Sequence, residues 1–396
     1  MNNILIAGYY GLNNIGDECI LSGIINSIRS IKDDCTFQVL TSDGDGTHRL
    51  HGVSPVQQSI TLPPTKLMYQ LLLGGQLMDI SRAIDKADLL ILGGGSLLQD
   101  LRPHYMPSLM GLLKLAMMKG KRTAVYGVGA GPIDTPIGKR LAREVLNKVD
   151  IVTVRDRMSL ETLQDCGVRN VVMTCDPAFG MHIPPAPARA EHDVSRLFDG
   201  NEDVVCSTFY RWLHDSDLNR NSQKADPLHS QKMQILLDIY TDIMDCNDYR
   251  MVFLPTVLSD VNEYRRMSEK IGPRTKALDY RNDLEFITGT LGSSRLLLGM
   301  RLHSLILATM MGVPFVPISY CGKVKSYLEL IGLSDLYLDV EDLTKSDFGK
   351  GYFKNFEKVA SQSKCYSERL LEKASDMRDI AIGNAKMVIE QMGRAE

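Results

Sequence analysis

The 396-residue chain has no Cys-x-x-Cys pair. Its eight cysteines, Cys19, Cys35, Cys166, Cys175, Cys206, Cys246, Cys321 and Cys365, are widely scattered. That spacing speaks for reduced thiols in a cytosolic setting and against a disulfide framework or a zinc site. There is no surplus of positive charge either. Lys plus Arg is 45 and Asp plus Glu is 48, for a net charge of −3 and a pI near 6.3. No whole-molecule attraction to nucleic acid or to acidic membranes follows, and nucleic acid is not an expected partner. A long apolar run is also missing. The most membrane-like stretch, Leu296 to Ile318, is broken by Arg301, His303, Gly312 and Pro314, whereas a span needs about 20 apolar residues. It reads instead as strand, helix, strand. The N-terminus, Met1-Asn-Asn-Ile-Leu-Ile-Ala, lacks a basic region, so no secretory signal is read and a cytoplasmic location is expected. Low-complexity tracts and short repeats are absent as well.

What is present is the composition of a globular protein, with 44% hydrophobic and 23% charged residues. At roughly 150 residues per domain, the length suits two α/β units. Apolar runs of strand length alternate with amphipathic runs of helix length, the pattern of parallel βαβ units. In the first half, strands are predicted near Asn3 to Ala7, Thr36 to Leu40, Asp88 to Leu92, Thr123 to Gly127, Ile151 to Val154 and Asn170 to Met173. The Pro-rich, aperiodic stretch His182 to His192 reads as a linker. A second series follows, with strands near Asp203 to Ser207, Arg250 to Leu254, Arg295 to Leu298 and Pro314 to Ile318. The organisation expected is therefore an N-terminal doubly wound domain over 1–186, a C-terminal one over 193–352, and C-terminal helices over 353–396 that pack back on the first domain. Two such domains facing a cleft would bind ligands at the carboxyl ends of their strands.

Chemistry-bearing residues fall at those ends. The first strand runs into Gly8-Tyr-Tyr-Gly-Leu-Asn-Asn-Ile-Gly-Asp-Glu18, where Gly11 permits a tight turn and Asn14 and Asp17 offer polar groups at a helix start. It is neither a Walker loop nor a dinucleotide fingerprint, and it also reads as a structural turn capped by Asp17. Leu92-Gly-Gly-Gly-Ser-Leu-Leu-Gln-Asp100 follows another strand; its Gly94, Gly95 and Ser96 either present backbone N–H groups to a ligand or make a closely packed turn. Asp156 of Val154-Arg155-Asp156 reads as a helix N-cap, and Asp176-Pro177 as a turn. Arg211 and the sole tryptophan, Trp212, follow the first strand of the second half and serve either interdomain packing or a sugar or anion contact. The most informative stretch is Gly299-Met-Arg301-Leu-His303-Ser304. It puts a cation and an imidazole between a buried strand and a buried helix, at the positive end of the helix dipole. Lys323 of Ser319-Tyr-Cys-Gly-Lys323 stands in a neighbouring loop, although helix periodicity does not separate it from Lys325. The apolar stem from Leu67 to Ile84, with Leu67, Leu71, Leu72 and Met78, suits a buried helix or a membrane surface.

Taken in order, these segments resemble the polysaccharide pyruvyl transferase family. One departure is visible: Tyr320-Cys-Gly-Lys323 stands where the family commonly reads Tyr-Asp-x-Lys. The resemblance implies two Rossmann-like doubly wound domains similar to GT-B glycosyltransferases. It further implies phosphoenolpyruvate as donor, and as acceptor a glycan or lipid-linked oligosaccharide at the inner face of the membrane. In that assignment His303 is the acid/base or a leaving-phosphate contact. Arg155, Arg301 and Lys323 hold the donor, with Arg211 a weaker candidate, and Gly11, Asn14, Asp17, Gly94, Gly95 and Ser96 face the acceptor. No metal and no cofactor beyond phosphoenolpyruvate is expected. The competing readings are a nucleotide-sugar glycosyltransferase of the same architecture and a non-catalytic glycan- or anion-binding protein.

Overall fold

Branched and apolar runs become buried parallel strands in a computed structural model that describes residues 2–57, 75–101, 105–183, 193–198, 203–209 and 229–393. Most of the Pro-rich linker, the stem at 67–74, Arg211 and Trp212 lie outside the described residues. The chain forms two units: Met1–His182 with Asp376–Glu396, and Ile183–Ser375.

The first unit holds a seven-stranded sheet of order β3-β2-β1-β4-β5-β6-β7. Its strands are β1 (Asn2–Tyr10), β2 (Cys35–Thr41), β3 (Ser54–Gln57), β4 (Leu89–Gly93), β5 (Arg122–Val128), β6 (Ile151–Val154) and β7 (Val171–Met173). All neighbours pair in parallel. The second unit holds a five-stranded parallel sheet of order β10-β9-β8-β11-β12. These strands are β8 (Val204–Thr208), β9 (Arg250–Phe253), β10 (Thr275–Ala277), β11 (Leu296–Gly299) and β12 (Phe315–Pro317). Both sheets are doubly wound. Strand order reverses between β1 and β4 in the first and between β8 and β11 in the second, and ligands of such sheets sit at the carboxyl ends beside the reversal.

Each predicted strand is present. Two more, β3 and β10, are edge strands that the pattern of apolar runs misses. β3 carries Pro55, which an edge tolerates because no ladder donor is needed there, and β10 is only three residues long. The central strands are mostly apolar because helices cover them; every residue of β4 is buried.

The helix Ile15–Ile31 buries Ile20, Ile24 and Ile28, one per turn. Its N-cap is Asn14, whose Oδ1 accepts from the Gly16 N–H at 3.1 Å. The expected cap, Asp17, lies inside the first turn instead, accepting from Asn14 Nδ2 at 2.7 Å. Its sequence position as an acidic residue at a helix start suits either role. In the helix Gly75–Lys86, Ile80 and Ile84 join the core while Met78 is exposed. The C-terminal segment is shared out differently from the single block expected over 353–396. Helix Phe348–Ser361 belongs to the second unit, where Tyr352 donates to the Val316 carbonyl at 3.4 Å. The long helix Ser363–Gly393 passes from one unit's residues to the other's at 375/376. Among the described residues, no helix is long and apolar enough to cross a membrane.

Candidate functional site

In the first unit, the loops after β1 and β4 flank the reversal of strand order and are locked together. Gly11 adopts φ +72° and its N–H donates to Glu18 Oε1 at 2.9 Å. The other Glu18 oxygen lies 2.8 Å from His51 Nε2, and both side chains are almost fully buried. Tyr10 donates to the Gly93 carbonyl at 2.8 Å. Burial, with Asp17, Glu18 and Asp176 nearby, pushes its phenol well above the usual range. Gly94 and Gly95 both sit at positive φ. A Cβ on Gly94 would lie 1.8 Å from Ile20 Cγ2, and one on Gly95 would lie 3.2 Å from Asp17 Oδ1. The Gly94 N–H is spent on the Tyr126 carbonyl at 3.0 Å. Close packing, rather than a free donor, is thus what Gly94 supplies. Gly11, Asn14, Asp17, Gly95 and Ser96 do converge on one edge.

Arg155, expected to hold the donor, is 4% exposed and has its guanidinium committed. Nη1 donates to Asp176 Oδ2 at 2.9 Å, Nε to Asp156 Oδ2 at 3.3 Å and Nη2 to Ser96 Oγ at 3.1 Å. Burial opposes its charge, but the two carboxylates outweigh that and hold its pKa above the ordinary value. A buried cation already balanced by two anions has no net charge left for a third, so Arg155 departs from the expected role. It ties the β4, β6 and β7 ends together and positions Ser96. Asp156 also caps the helix Arg157–Asp165 through the Ser159 N–H, and Asp176 caps the short turn Pro177–Gly180.

In the second unit, Arg301 is the N-cap residue of the helix Leu302–Met311 and His303 stands in its first turn. Both follow β11 directly, at the reversal next to β8. The Arg301 carbonyl accepts from Ser304 Oγ at 2.6 Å, and that hydroxyl lies 2.6 Å from Thr208 Oγ1 at the end of β8. The two strand ends are thereby bolted to each other. The guanidinium, 16% exposed, pairs through Nη2 with the buried carboxylate of Asp260. Burial works against its charge; Asp260 more than compensates and keeps the pKa raised. Tyr264 holds the exit of β8, donating to the Phe209 carbonyl at 2.8 Å and accepting the Phe209 N–H at 2.9 Å. Lys323 lies in the first turn of the helix Gly322–Leu330, after β12, with Nζ 5.3 Å from the Tyr320 ring centre. Lys325 points elsewhere, over Tyr337. The carboxyl edge of one sheet therefore carries a guanidinium, an imidazole and an ammonium at two adjacent helix starts. Groups of this kind can pair with phosphate or carboxylate oxygens.

Asp260 and the Glu18–His51 pair escaped the sequence reading. Asp260 joins Arg301 across 41 residues and His51 joins Glu18 across 33, and no local periodicity encodes such pairings. Glu18 within the first motif was the one visible signal. Among the described residues, no three His, Cys, Asp or Glu side chains gather as a metal site would require.

Comparison with known proteins follows this geometry. The sequence model for "Polysaccharide pyruvyl transferase" matches residues 14–322. The amylovoran biosynthesis protein AmsJ of Erwinia amylovora is 21% identical over 402 residues, covering 91% of this chain and 94% of that protein. Among solved structures, a glycosyltransferase from Rickettsia africae superposes with a TM-score of 0.63 at 11% identity, covering 100% of both chains. The UDP-GlcNAc 2-epimerase of Neisseria meningitidis gives 0.59 at 10% identity, again over 100% of both. At such identities these likenesses speak to the fold alone.

Proposed function

Because the chain belongs to the polysaccharide pyruvyl transferase family, we propose that it transfers the pyruvyl group of phosphoenolpyruvate to a sugar of a cell-surface glycan or its lipid-linked precursor. The product is a pyruvate ketal and the by-product is phosphate. Its relative AmsJ, an amylovoran biosynthesis protein, makes an exopolysaccharide the natural acceptor class. Peripheral contact with a membrane belongs to the same proposal, as the place where a lipid-linked acceptor would be met.

The observation that carries this reading is the pairing of Arg301 and His303 at the β11 reversal, with Lys323 in the adjoining loop. Ketal formation begins with a proton delivered to the enol methylene, so that positive charge develops at C2. A sugar hydroxyl adds there, phosphate leaves, and a second hydroxyl of the same sugar closes the ring. His303 is the proton donor to carbon or the contact that protonates the leaving phosphate. Arg301, oriented by Asp260, and Lys323 neutralise phosphate and carboxylate, with Arg211 a further candidate. On the first unit, Gly11, Asn14, Asp17, Gly95 and Ser96 are the candidates for acceptor contact, with Ser96 held by Arg155. Arg and Lys meet the donor's charge in this scheme, and no cofactor is invoked.

The test is incubation with phosphoenolpyruvate and a panel of disaccharide–lipid mimics. The expected result is phosphate release matched by an acceptor mass gain of pyruvic acid less one water. Consumption of a nucleotide sugar with phosphoenolpyruvate untouched would replace this reading with a glycosyltransferase.

A further inference from the structure

One buried carboxylate of the first unit has no part in the scheme above. Glu18 lies in the first turn of the helix Ile15–Ile31. Its Oε1 accepts the Gly11 N–H at 2.9 Å, and its Oε2 lies 2.8 Å from Nε2 of His51, the last residue of the helix Gly44–His51. Facing a carboxylate, that nitrogen carries the hydrogen. The side chains of Glu18 and His51 are only 1% and 2% exposed, so neither is placed to touch a substrate. Stability alone is a poor reason for the pair, because apolar side chains of similar volume commonly hold a core as well as a buried carboxylate and its partner do. What the pair does that hydrocarbon could not is grip one backbone N–H.

That N–H belongs to a turn whose conformation needs holding. Gly11 at φ +72° is followed by Asn13 at +56°, two left-handed residues within three, the second in a region uncommon for any residue but glycine. Leu12 and Asn13 are exposed, so burial of their own side chains does not fix the turn. Such backbone persists only where its surroundings over-determine it. Upstream, the Ser42 N–H donates to the Tyr10 carbonyl at 3.1 Å; downstream, Asn14 caps the helix. Between those points the hold is Glu18. His51 reaches it from a short helix that is fastened at both ends. At the start, Asp43 Oδ1 accepts the Gly46 N–H at 3.0 Å, and the Thr41 and Thr47 hydroxyls lie 2.7 Å apart. Towards the end, His48 Nδ1 is 2.9 Å from the Val53 carbonyl oxygen. A strained turn, a carboxylate buried to restrain it and a braced partner for that carboxylate thus act together just ahead of Asn14 and Asp17.

We propose that Glu18 and His51 are positioning residues: the pair fixes the Gly11 N–H, and through it the turn that presents Asn14 and Asp17 to the hydroxyls of the acceptor sugar. The clamp stands on this geometry, whereas its service to a sugar acceptor rests on the reading above.

The experiment compares the full chain as wild type, Glu18→Met, Glu18→Gln and His51→Leu. Hydrogen–deuterium exchange is read by mass spectrometry over residues 2–7 and 8–14, and the same proteins are assayed with phosphoenolpyruvate and the disaccharide–lipid mimics. Glu18→Met is expected to speed exchange over 8–14 about tenfold or more while 2–7, in the buried part of β1, keeps its protection. It is also expected to raise the acceptor KM about tenfold, with the phosphoenolpyruvate KM within about twofold of wild type. Glu18→Gln keeps an oxygen for the Gly11 N–H and is expected to recover most of both losses. His51→Leu leaves the atoms of the Gly11 bond in place, yet it is expected to move both readouts in the same direction, because the carboxylate loses its restraint. A pair that only supported the fold would give another pattern: a lower unfolding temperature and a lower kcat from a smaller active fraction, at unchanged KM. Unchanged exchange over 8–14 in Glu18→Met overturns the proposal, and so does faster exchange accompanied by a fall in kcat alone. Faster exchange over 8–14 in a protein that consumes a nucleotide sugar, leaves phosphoenolpyruvate untouched and shows a raised acceptor KM keeps the clamp and removes the pyruvyl donor.

Discussion

At the scale of single residues, a cation's partner decides what the cation does. Arg155 and Arg301 read alike in the sequence, each following a strand, yet Arg155 is closed in by two carboxylates while Arg301 is held by Asp260 at an edge that also carries His303 and Lys323. Replacing Arg155 by Met strands two buried carboxylates and is expected to cost about 3–5 kcal/mol, read as a shift in the urea midpoint. His303→Gln leaves the fold alone and is expected to slow phosphate release by roughly 10²–10⁴ if the imidazole moves the proton. A change confined to KM would reduce it to a donor contact. The cysteines divide in the same way. Burial pushes the Cys19, Cys175 and Cys206 thiols far up, whereas Cys246 and Cys365 are exposed. Since the thiolate is the reacting form, alkylation of the native protein near pH 8 should mark Cys246 and Cys365 and spare Cys19, Cys175 and Cys206, checked by peptide mass mapping.

At the scale of elements, glycines set how closely the pieces approach. Gly23, in the middle of the helix Ile15–Ile31, would gain about 1 kcal/mol of helix propensity as alanine. A Cβ there, however, would lie 1.9 Å from the Pro177 carbonyl oxygen and 3.1 Å from Ala178 Cα, and backbone cannot step aside as a flexible side chain could. Overpacking of this kind costs about 1–3 kcal/mol or more, so Gly23→Ala is expected to destabilise on balance, lowering the urea midpoint. The displaced turn begins at Asp176, so the Arg155 cluster should loosen with it. Legibility follows the same division. Central strands such as β4 and β11 announce themselves, because a buried parallel strand must be apolar on both faces. The glycine-rich loops and the Arg301–His303 pair were visible because each follows such a strand directly. β3 and β10 were not, since a short edge strand needs little apolar surface. Neither were Asp260 and the Glu18–His51 pair, whose significance lies in what they meet far along the chain.

At the scale of the whole molecule, the last residues complete the unit that the first residues begin. Asp376–Glu396 belongs with Met1–His182, and within it Met377, Ala381, Ala385 and Val388 are buried. Two of its backbone carbonyls are in use: Met377 accepts from Cys175 Sγ at 3.1 Å and Ala381 from the Tyr126 hydroxyl at 3.3 Å. Burying a Met or Val side chain contributes about 1.5–3 kcal/mol as an upper bound, against a total stability of roughly 5–15 kcal/mol for a domain. A chain ended after Ser375 therefore loses a large fraction of what holds the first unit together and little of what holds the second. Cys175 reports on one unit and Cys206, in the centre of β8, on the other. In the truncated chain, maleimide should label Cys175 at native pH while Cys206 stays protected, and the thermal transition should split or fall. Equal protection of both thiols with an unchanged transition would mean that the terminal helix adds nothing to the first unit's stability, against the burial and the two hydrogen bonds that tie it there.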